Sequence, residues 1–437
     1  MTRTTRRDFL KGAAIGGAGL LILKDSSLAF GYSANEKLNV AGIGCGGKGH
    51  SDIGPCAEAG ENIVALCDAS YDRAAGAFKD WPNAKRYHDF RRMFDEMGDQ
   101  IDAVTVSTPD HFHAIAAVTA MRMGKHVYCQ KPLTHTLYEA RLMRDTARKY
   151  KVATQMGNQG TAESGLREAV EVIQSGALGN IREVHIWSNR PVWPQGLNRP
   201  TETPPIPKEL DWDVWLGPAP VRPYNPIYLP FAWRGWIDFG CGAIGDMGCH
   251  TMNMPFMALD LSNPISVEAE VHEKTAESYP TKSVVRYTFP HANPLQPYRL
   301  TWYDGSLKPP ERVLPGRDMP GSGCVIIGDK GYLFTPDDYG SRYELLPKEK
   351  YEGYQKPPQT IPRSPGHHTE WLRACKGGEP AMSNFDYASA LTEFALLGNL
   401  AVLVGEPIYW DSKQMRAIGC PKADEFINMP YRKGWKL

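Results

Sequence analysis

Two short segments of this chain carry residue types that could do chemistry together. One is Cys129-Gln130-Lys131-Pro132, and the other is Asp246-Met247-Gly248-Cys249-His250. On a helix, the spacing of Asp246 and His250 puts both side chains on one face, aimed at a common centre. Histidine, with an ordinary pKa of about 6.5, suits the removal of a proton from a hydroxyl. We therefore assign His250 as general base, with Asp246 orienting it or binding a neighbouring hydroxyl. A lysine at the same centre would hydrogen-bond the reacting oxygen and favour an alkoxide-like transition state. Lys131, Asp246 and His250 are thus the candidate catalytic set for oxidising a CH–OH group. Two other readings stay open: the pair caps a helix, or it joins His111 or His368 around a metal. The metal reading lacks any recognised ligand spacing, and no metal is assigned.

Oxidation of this kind needs a hydride acceptor. Gly42-Ile43-Gly44-Cys45-Gly46-Gly47 follows an apolar run and opens a helical one, and Asp68 ends the next apolar run about twenty residues on. Such glycines permit a tight turn and let backbone N–H groups and the helix dipole approach a pyrophosphate. A carboxylate at the end of the second strand accepts from the adenosine ribose hydroxyls and repels a 2′-phosphate, so NAD is favoured over NADP. No arginine adjoins Asp68, although Arg73 stands five residues away and weakens that preference.

The elements that must position these residues alternate. Apolar runs at 38–43, 63–67, 103–106 and 126–128 predict buried parallel strands, with a sixth strand of the sheet at 152–157. Helical stretches are expected at 51–59, 71–79 and 113–123, and at 137–150 behind a Thr136…Glu139 capping box. This rhythm predicts an α/β chain whose residues 36–157 form a doubly wound Rossmann domain. Strand ends line the ligand crevice in such sheets, which aims the segment Ser107 to His113 and the segment Cys129 to Pro132 at the cofactor. Residues 158–437 read differently. A connecting helix at 165–175 precedes strands at 182–187, 267–271, 284–289 and 325–327, several with alternating apolar positions. That pattern predicts an α+β substrate domain with a large open, mainly antiparallel sheet, completed by helices at 368–375 and 386–404.

The segments AGIGCGGKG, STPDHFHAIAAVTAMRMGKHVYCQKPL and GAIGDMGCHTMN make the chain resemble the glucose–fructose oxidoreductase, inositol dehydrogenase and rhizopine-catabolism (Gfo/Idh/MocA) family. The resemblance spans most of the chain after its leader and is strongest through Gly157. It implies that a strand-end Thr-Pro, a histidine a few residues on and a Glu-Lys-Pro triplet surround the nicotinamide. Thr108, Pro109, His113, Lys131 and Pro132 fill those places, while Gln130 stands where the family usually has glutamate and removes one negative charge beside Lys131. Asp246 and His250 match the family's Asp-x-x-x-His pair. The expected cofactor shell is Gly42, Gly44, Gly46, Gly47, Asp68, Thr108, Pro109, His113, Gln130 and Lys131, joined by Asn158 and Gln159 after the sixth strand. The resemblance also implies a homodimer or homotetramer built on the open sheet.

Six of the eleven tryptophans fall between Trp187 and Trp236, interleaved with Arg190, Arg199, Arg222 and Arg234. Aromatic faces stack on sugar rings and arginines bind hydroxyls or carboxylates; the competing reading makes these tryptophans core or interface anchors. The proline-rich insertion at 191–230 is expected to be an ordered loop over a site. Arg190, Trp193, Trp233, Arg234 and His368 are the candidate substrate residues, and the expected substrate is a sugar, polyol or glycoside.

Formal net charge is zero with a pI near 7.2, which gives no case for nucleic acid or a membrane surface as partner. Nine cysteines without a CxxC pair read as core residues. Thr5-Arg6-Arg7-Asp8-Phe9-Leu10-Lys11, an apolar run at 13–23 and Ser27-Leu28-Ala29 predict a twin-arginine signal over residues 1–29. No cysteine marks a lipoprotein anchor, and no later segment is expected to reach a membrane-spanning length. The expectation is a periplasmic protein handled by the twin-arginine translocase, which carries folded proteins. An exported nicotinamide enzyme would have to carry its cofactor out already bound and re-oxidise it in place. Three functions follow: an NAD-dependent oxidoreductase of a secondary hydroxyl, a glycosidase acting through transient oxidation and elimination, or a non-catalytic sugar-binding protein with a vestigial nucleotide site.

Overall fold

A computed structural model describes residues 36–437, and the expected signal over residues 1–29 lies outside the described residues. The first domain holds strands β1 (Asn39–Ile43), β2 (Asn62–Cys67), β3 (Lys85–Tyr87), β4 (Ala103–Val106), β5 (His126–Cys129) and β6 (Thr154–Met156). They pair in parallel in the order β3-β2-β1-β4-β5-β6, so the strand order reverses between β1 and β4. That reversal opens the crevice where ligands bind in doubly wound sheets. Helices α1 (Lys48–Glu58), α2 (Tyr71–Asp80), α3 (Phe90–Met97), α4 (Asp110–Arg122) and α5 (Leu137–Tyr150) connect the strands. The capping box of α5 forms: Thr136 Oγ1 accepts from the Glu139 N–H while the Glu139 carboxylate accepts from the Thr136 N–H.

Two elements here were not predicted. β3 is only Lys-Arg-Tyr, with both cations exposed, so it has no apolar run to read. Helix α3 buries Phe90, Met93, Phe94 and Met97, an i, i+3, i+4, i+7 stripe that was legible in the sequence.

The second domain opens with α6 (Ser164–Gln174) and β7 (Ile181–Trp187). Residues 188–241 follow with one short α-helix, α7 (Trp212–Leu216), and then come α8 (Gly242–Thr251) and α9 (Asn253–Ala258). Strands β8 (Ser266–His272), β9 (Lys282–Thr288), β10 (Arg299–Tyr303), β11 (Gly323–Gly328), β12 (Tyr332–Thr335) and β13 (Glu344–Leu346) complete a seven-stranded sheet in the order β13-β12-β11-β7-β10-β9-β8. All its neighbours are antiparallel except β7 and β10.

Helices α10 (His367–Cys375) and α11 (Phe385–Val404) follow. The expectation that no later segment reaches spanning length needs correction. By length and hydropathy α11 could cross a membrane, but 83% of its apolar window is buried inside the protein, where it forms part of the core. Helix α10 packs on the first domain: Trp371, Leu372 and Cys375 join Leu38, Val40, Cys56, Ala103 and Tyr128 in one cluster. All nine cysteines are buried and unpaired, as small core residues.

Candidate active site

The glycine turn sits at the end of β1. Gly44 has φ +79°, and a Cβ there would stand 2.6 Å from the Ser107 carbonyl oxygen, so only glycine lets the β1 and β4 ends approach. Helix α1 has Gly47 as its N-cap, with no capping side chain and no acid in its first turn; the Gly49 N–H bonds the Gly46 carbonyl, and no side chain competes with an anion for the other N–H groups of that turn. Asp68 ties the turn down: its Oδ2 accepts from the Cys45 N–H at 2.7 Å and the Gly46 N–H at 3.2 Å, and its Oδ1 from the Ser70 N–H at 2.9 Å. Burial pushes the Asp68 carboxyl up, against the pull of these N–H groups and of Arg73. The Arg73 guanidinium crosses the turn, 2.8 Å from where a Gly47 Cβ would be. At the other end of the crevice, Thr108 Oγ1 is buried with no partner on the protein. A glycine turn, a helix N-terminus without a side-chain cap and an orphan hydroxyl together fit a dinucleotide.

Beneath the turn lies a carboxylate that sequence reasoning missed. Asp52, on α1, is fully buried and accepts four bonds: from Lys48 Nζ at 2.7 Å, Ser107 Oγ at 2.8 Å, Gln130 Nε2 at 2.8 Å and His368 Nε2 at 3.3 Å. Burial pushes its carboxyl up, yet the bonds from His368 and Lys48 outweigh burial and hold it below its ordinary range. The amide of Gln130 is therefore the complement of a charge that sits on Asp52. Gln130→Glu would face one carboxylate with another, and we expect it to cost about 3 kcal/mol at neutral pH. One of the two acids would take up a proton on folding, its pKa raised. The cost is then absent below about pH 4 and grows as pH rises. Urea unfolding at neutral and mildly acidic pH checks this, and adding Asp52→Asn should recover most of the loss.

The candidate catalytic residues meet where β5 ends against α8. Lys131 Nζ donates to Asp246 Oδ1 at 2.8 Å and to the Asp246 carbonyl oxygen at 2.9 Å, and Arg234 Nε donates to the same Oδ1 at 2.9 Å. Burial alone would raise the Asp246 carboxyl, but the two cations hold it well below the carboxylate range. Helix α8 can carry these groups because it is buried along its length, with Gly248 Cβ space only 3.1 Å from the Ala395 methyl of α11. One turn past Asp246, His250 is 4% exposed, its ring edge-on to Tyr339 at 5.0 Å. Its Nδ1 is buried without a hydrogen-bond partner. Burial and the Lys131 ammonium hold the His250 pKa well below its ordinary value, so the ring is neutral with a lone pair available. Asp246 therefore orients Lys131 and Arg234; no hydrogen bond joins it to His250. Nearby Asp110, also missed, accepts from the Cys241 N–H at 3.0 Å, and burial pushes its carboxyl up to about 7.

One cavity of about 660 Å³ brings together Gly44, Gly46, Gly47, Asp68, Thr108, Pro109, Gln130, Lys131, Gln159, Arg190, Trp233, Arg234, Asp246 and His250. Lys48, Arg73 and Tyr339 line it too. Lys48 could have been found, since it directly follows the glycine turn; Tyr339, on the loop after β12, left no signal. Arg234 is sandwiched, its guanidinium carbon 4.2 Å from the ring centres of both Phe231 and Trp233.

Five expected residues lie elsewhere. Gly42 is inside β1. The His113 ring nitrogens face the carbonyl oxygens of Pro132 at 2.8 Å and Thr108 at 2.9 Å; burial pushes its pKa down to about 4, and the ring braces the two strand ends. Asn158 is fully buried, donating to the Cys249 carbonyl at 3.4 Å and accepting from Ser383 Oγ. Trp193 donates to Gln195 Oε1 at 2.9 Å behind Arg234. His368 stacks on Tyr128 and bonds Asp52, on the first-domain side of the crevice. The metal alternative loses its third ligand as well, because His111 is held between the carbonyls of Trp215 and Phe239, and His368 by Asp52.

Residues 38–158 match an oxidoreductase family's NAD-binding Rossmann fold, and residues 166–294 match the C-terminal α/β domain of the same family. A glycosyl hydrolase family 109 protein of Solibacter usitatus is 34% identical over 154 residues, covering 32% of this chain and 35% of that protein. Inositol 2-dehydrogenase 2 of Saccharopolyspora erythraea is 29% identical over 163 residues, covering 37% of this chain and 48% of that protein. The chain thus spans half or less of the length of these curated relatives. Among solved structures, the WlbA dehydrogenase of Bordetella pertussis, in complex with NADH and UDP-GlcNAcA, superposes with a TM-score of 0.62 at 17% identity, covering 86% of this chain and 99% of that one; the likeness is one of fold.

Proposed function

Because this chain belongs to the Gfo/Idh/MocA oxidoreductase family, we propose that it oxidises a secondary hydroxyl of a sugar, polyol or glycoside with a bound NAD that is recycled in place. The observation that carries this reading is the meeting of Lys131 and His250 in the cavity that the glycine turn opens. When bound, a nicotinamide ring supplies the hydride acceptor. A substrate hydroxyl between the two side chains would donate its proton toward the neutral imidazole of His250. Its oxygen would accept from Lys131, whose ammonium Asp246 keeps in place. Trp233 and Arg234 both line the cavity, and an aromatic ring beside a guanidinium suits a ring bearing several hydroxyls. Asp68 favours NAD over NADP, and Arg73 beside it is the residue to change if NADP binds as well.

We propose further that the protein is exported by the twin-arginine translocase to the periplasm and assembles as a homodimer or homotetramer. A captive cofactor also serves a second reading, the glycosidase that oxidises, eliminates and restores its substrate; the relative named for glycosyl hydrolase family 109 supports it. Nitrophenyl glycosides separate the two. Nitrophenol release without added NAD is the glycosidase outcome, and net accumulation of reduced nicotinamide on the addition of sugars or polyols is the dehydrogenase outcome. Silence in both assays, with no nucleotide released on denaturation, leaves a sugar-binding protein and sinks the enzymatic reading.

A further inference from the structure

The adenosine end of the crevice has a wall that the Rossmann domain does not supply. Residues 209–211 of the second domain run against the loop after β2. Ser70 and Leu210 form an antiparallel bridge, the Tyr71 N–H donates to the Glu209 carbonyl at 2.9 Å, and the Asp211 N–H donates to the Ala69 carbonyl at 2.8 Å. That loop begins at Asp68, the residue placed to meet the adenosine ribose. Asp68, Ser70 and Phe90 of the first domain and Leu210, Val214 and Trp215 of the second line the same cavity.

The wall is backed on every side. Trp215 stacks on Trp212 with ring centres 4.7 Å apart, and the His111 ring holds the Trp215 carbonyl at 3.1 Å. Gly217 lies against Phe112, and Arg432 near the C-terminus bonds the Asp213 carboxylate and carbonyl, each at 2.7 Å. The two domains are thus joined by a backbone bridge two residues from Asp68.

We infer that residues 207–215 form the second wall of an adenosine subsite and that this wall governs how long the dinucleotide stays bound. Its ligand chemistry is a flat purine against Leu210, Val214 and Trp215, with the ribose on Asp68. The inference rests on the captive-cofactor reading for its biological sense, but not for its test.

The test uses the full purified protein with its nucleotide, the variants Leu210→Ala and Val214→Ala, and exchange of bound nucleotide against radiolabelled NAD. Binding of ADP-ribose and of nicotinamide mononucleotide to stripped protein is measured alongside, with circular dichroism confirming that each variant is folded. The expected result is exchange at least tenfold faster in both variants. ADP-ribose should bind at least fivefold more weakly, while nicotinamide mononucleotide, which does not reach the wall, binds unchanged. Exchange at the wild-type rate, or equal weakening of both probes, overturns the inference. If the wild type itself exchanges within seconds but only ADP-ribose weakens in the variants, the wall stands and the captive-cofactor reading falls.

Discussion

Lys131→Ala is expected to lower turnover about 10³-fold or more, equivalent to about 4 kcal/mol of transition-state stabilisation, while leaving nucleotide bound. The effect follows from where the ammonium sits. It is 13% exposed, aligned by the carboxylate and the backbone carbonyl of one residue, Asp246, and beside the only cavity-lining imidazole of the α8 helix. Alanine removes the cation that favours a developing alkoxide, yet Asp246 keeps Arg234 as counter-ion, so the site does not acquire an unpaired buried charge. The loss should therefore fall on kcat in single-turnover measurements, with the nucleotide content and thermal midpoint close to wild type. A variant that folds, holds nucleotide and turns over normally would remove Lys131 from the chemistry. Asp246→Asn should behave differently: it leaves two cations without their anion and is expected to reduce stability as well as rate.

His250→Ala is the second large effect, a loss of about 10² to 10⁴-fold from removal of the general base. Its pH signature is as informative as its size. Burial and Lys131 hold the imidazole pKa down, so wild-type activity should persist well below the ordinary histidine range and fail only when the ring takes up a proton. In His250→Ala that acid limb should vanish, leaving a slow and flatter profile. Loss of bound nucleotide from this variant would instead place His250 in the cofactor shell.

Much of this site was readable along the chain, for reasons that differ between residues. Glycines between a strand and a helix, an acid twenty residues on and lysine before proline at a strand end are set by backbone position, which periodicity reports. The aspartate–histidine spacing likewise predicted one helix face, and α8 delivers it. What failed was direction. His113 stands in a motif position, Asn158 after a strand and His368 at a helix start, but each buried polar group turns toward the nearest partner, two carbonyls, Cys249 and Ser383, or Asp52. Asp246 was expected to orient His250 or bind a neighbouring hydroxyl; it makes no bond to His250 and instead pairs with Lys131 and Arg234, because Arg234 arrives from an insertion whose path no local pattern encodes. Gln130 looked like the loss of a charge; the fold shows the charge on Asp52, 78 residues earlier in the chain. The short strands β3 and β13 escaped because three residues are too few to show a period.

A protein that carries its own oxidant needs none supplied. The most direct measurement mixes the purified protein, with no cofactor added, against a panel of sugars and polyols, and follows the absorbance of reduced nicotinamide on the protein through one turnover. A bound, recycled NAD should give a rise of up to one equivalent per chain with at least one substrate, abolished in Lys131→Ala. Protein that contains no nicotinamide nucleotide, or that holds one whose redox state no carbohydrate hydroxyl changes, would contradict it.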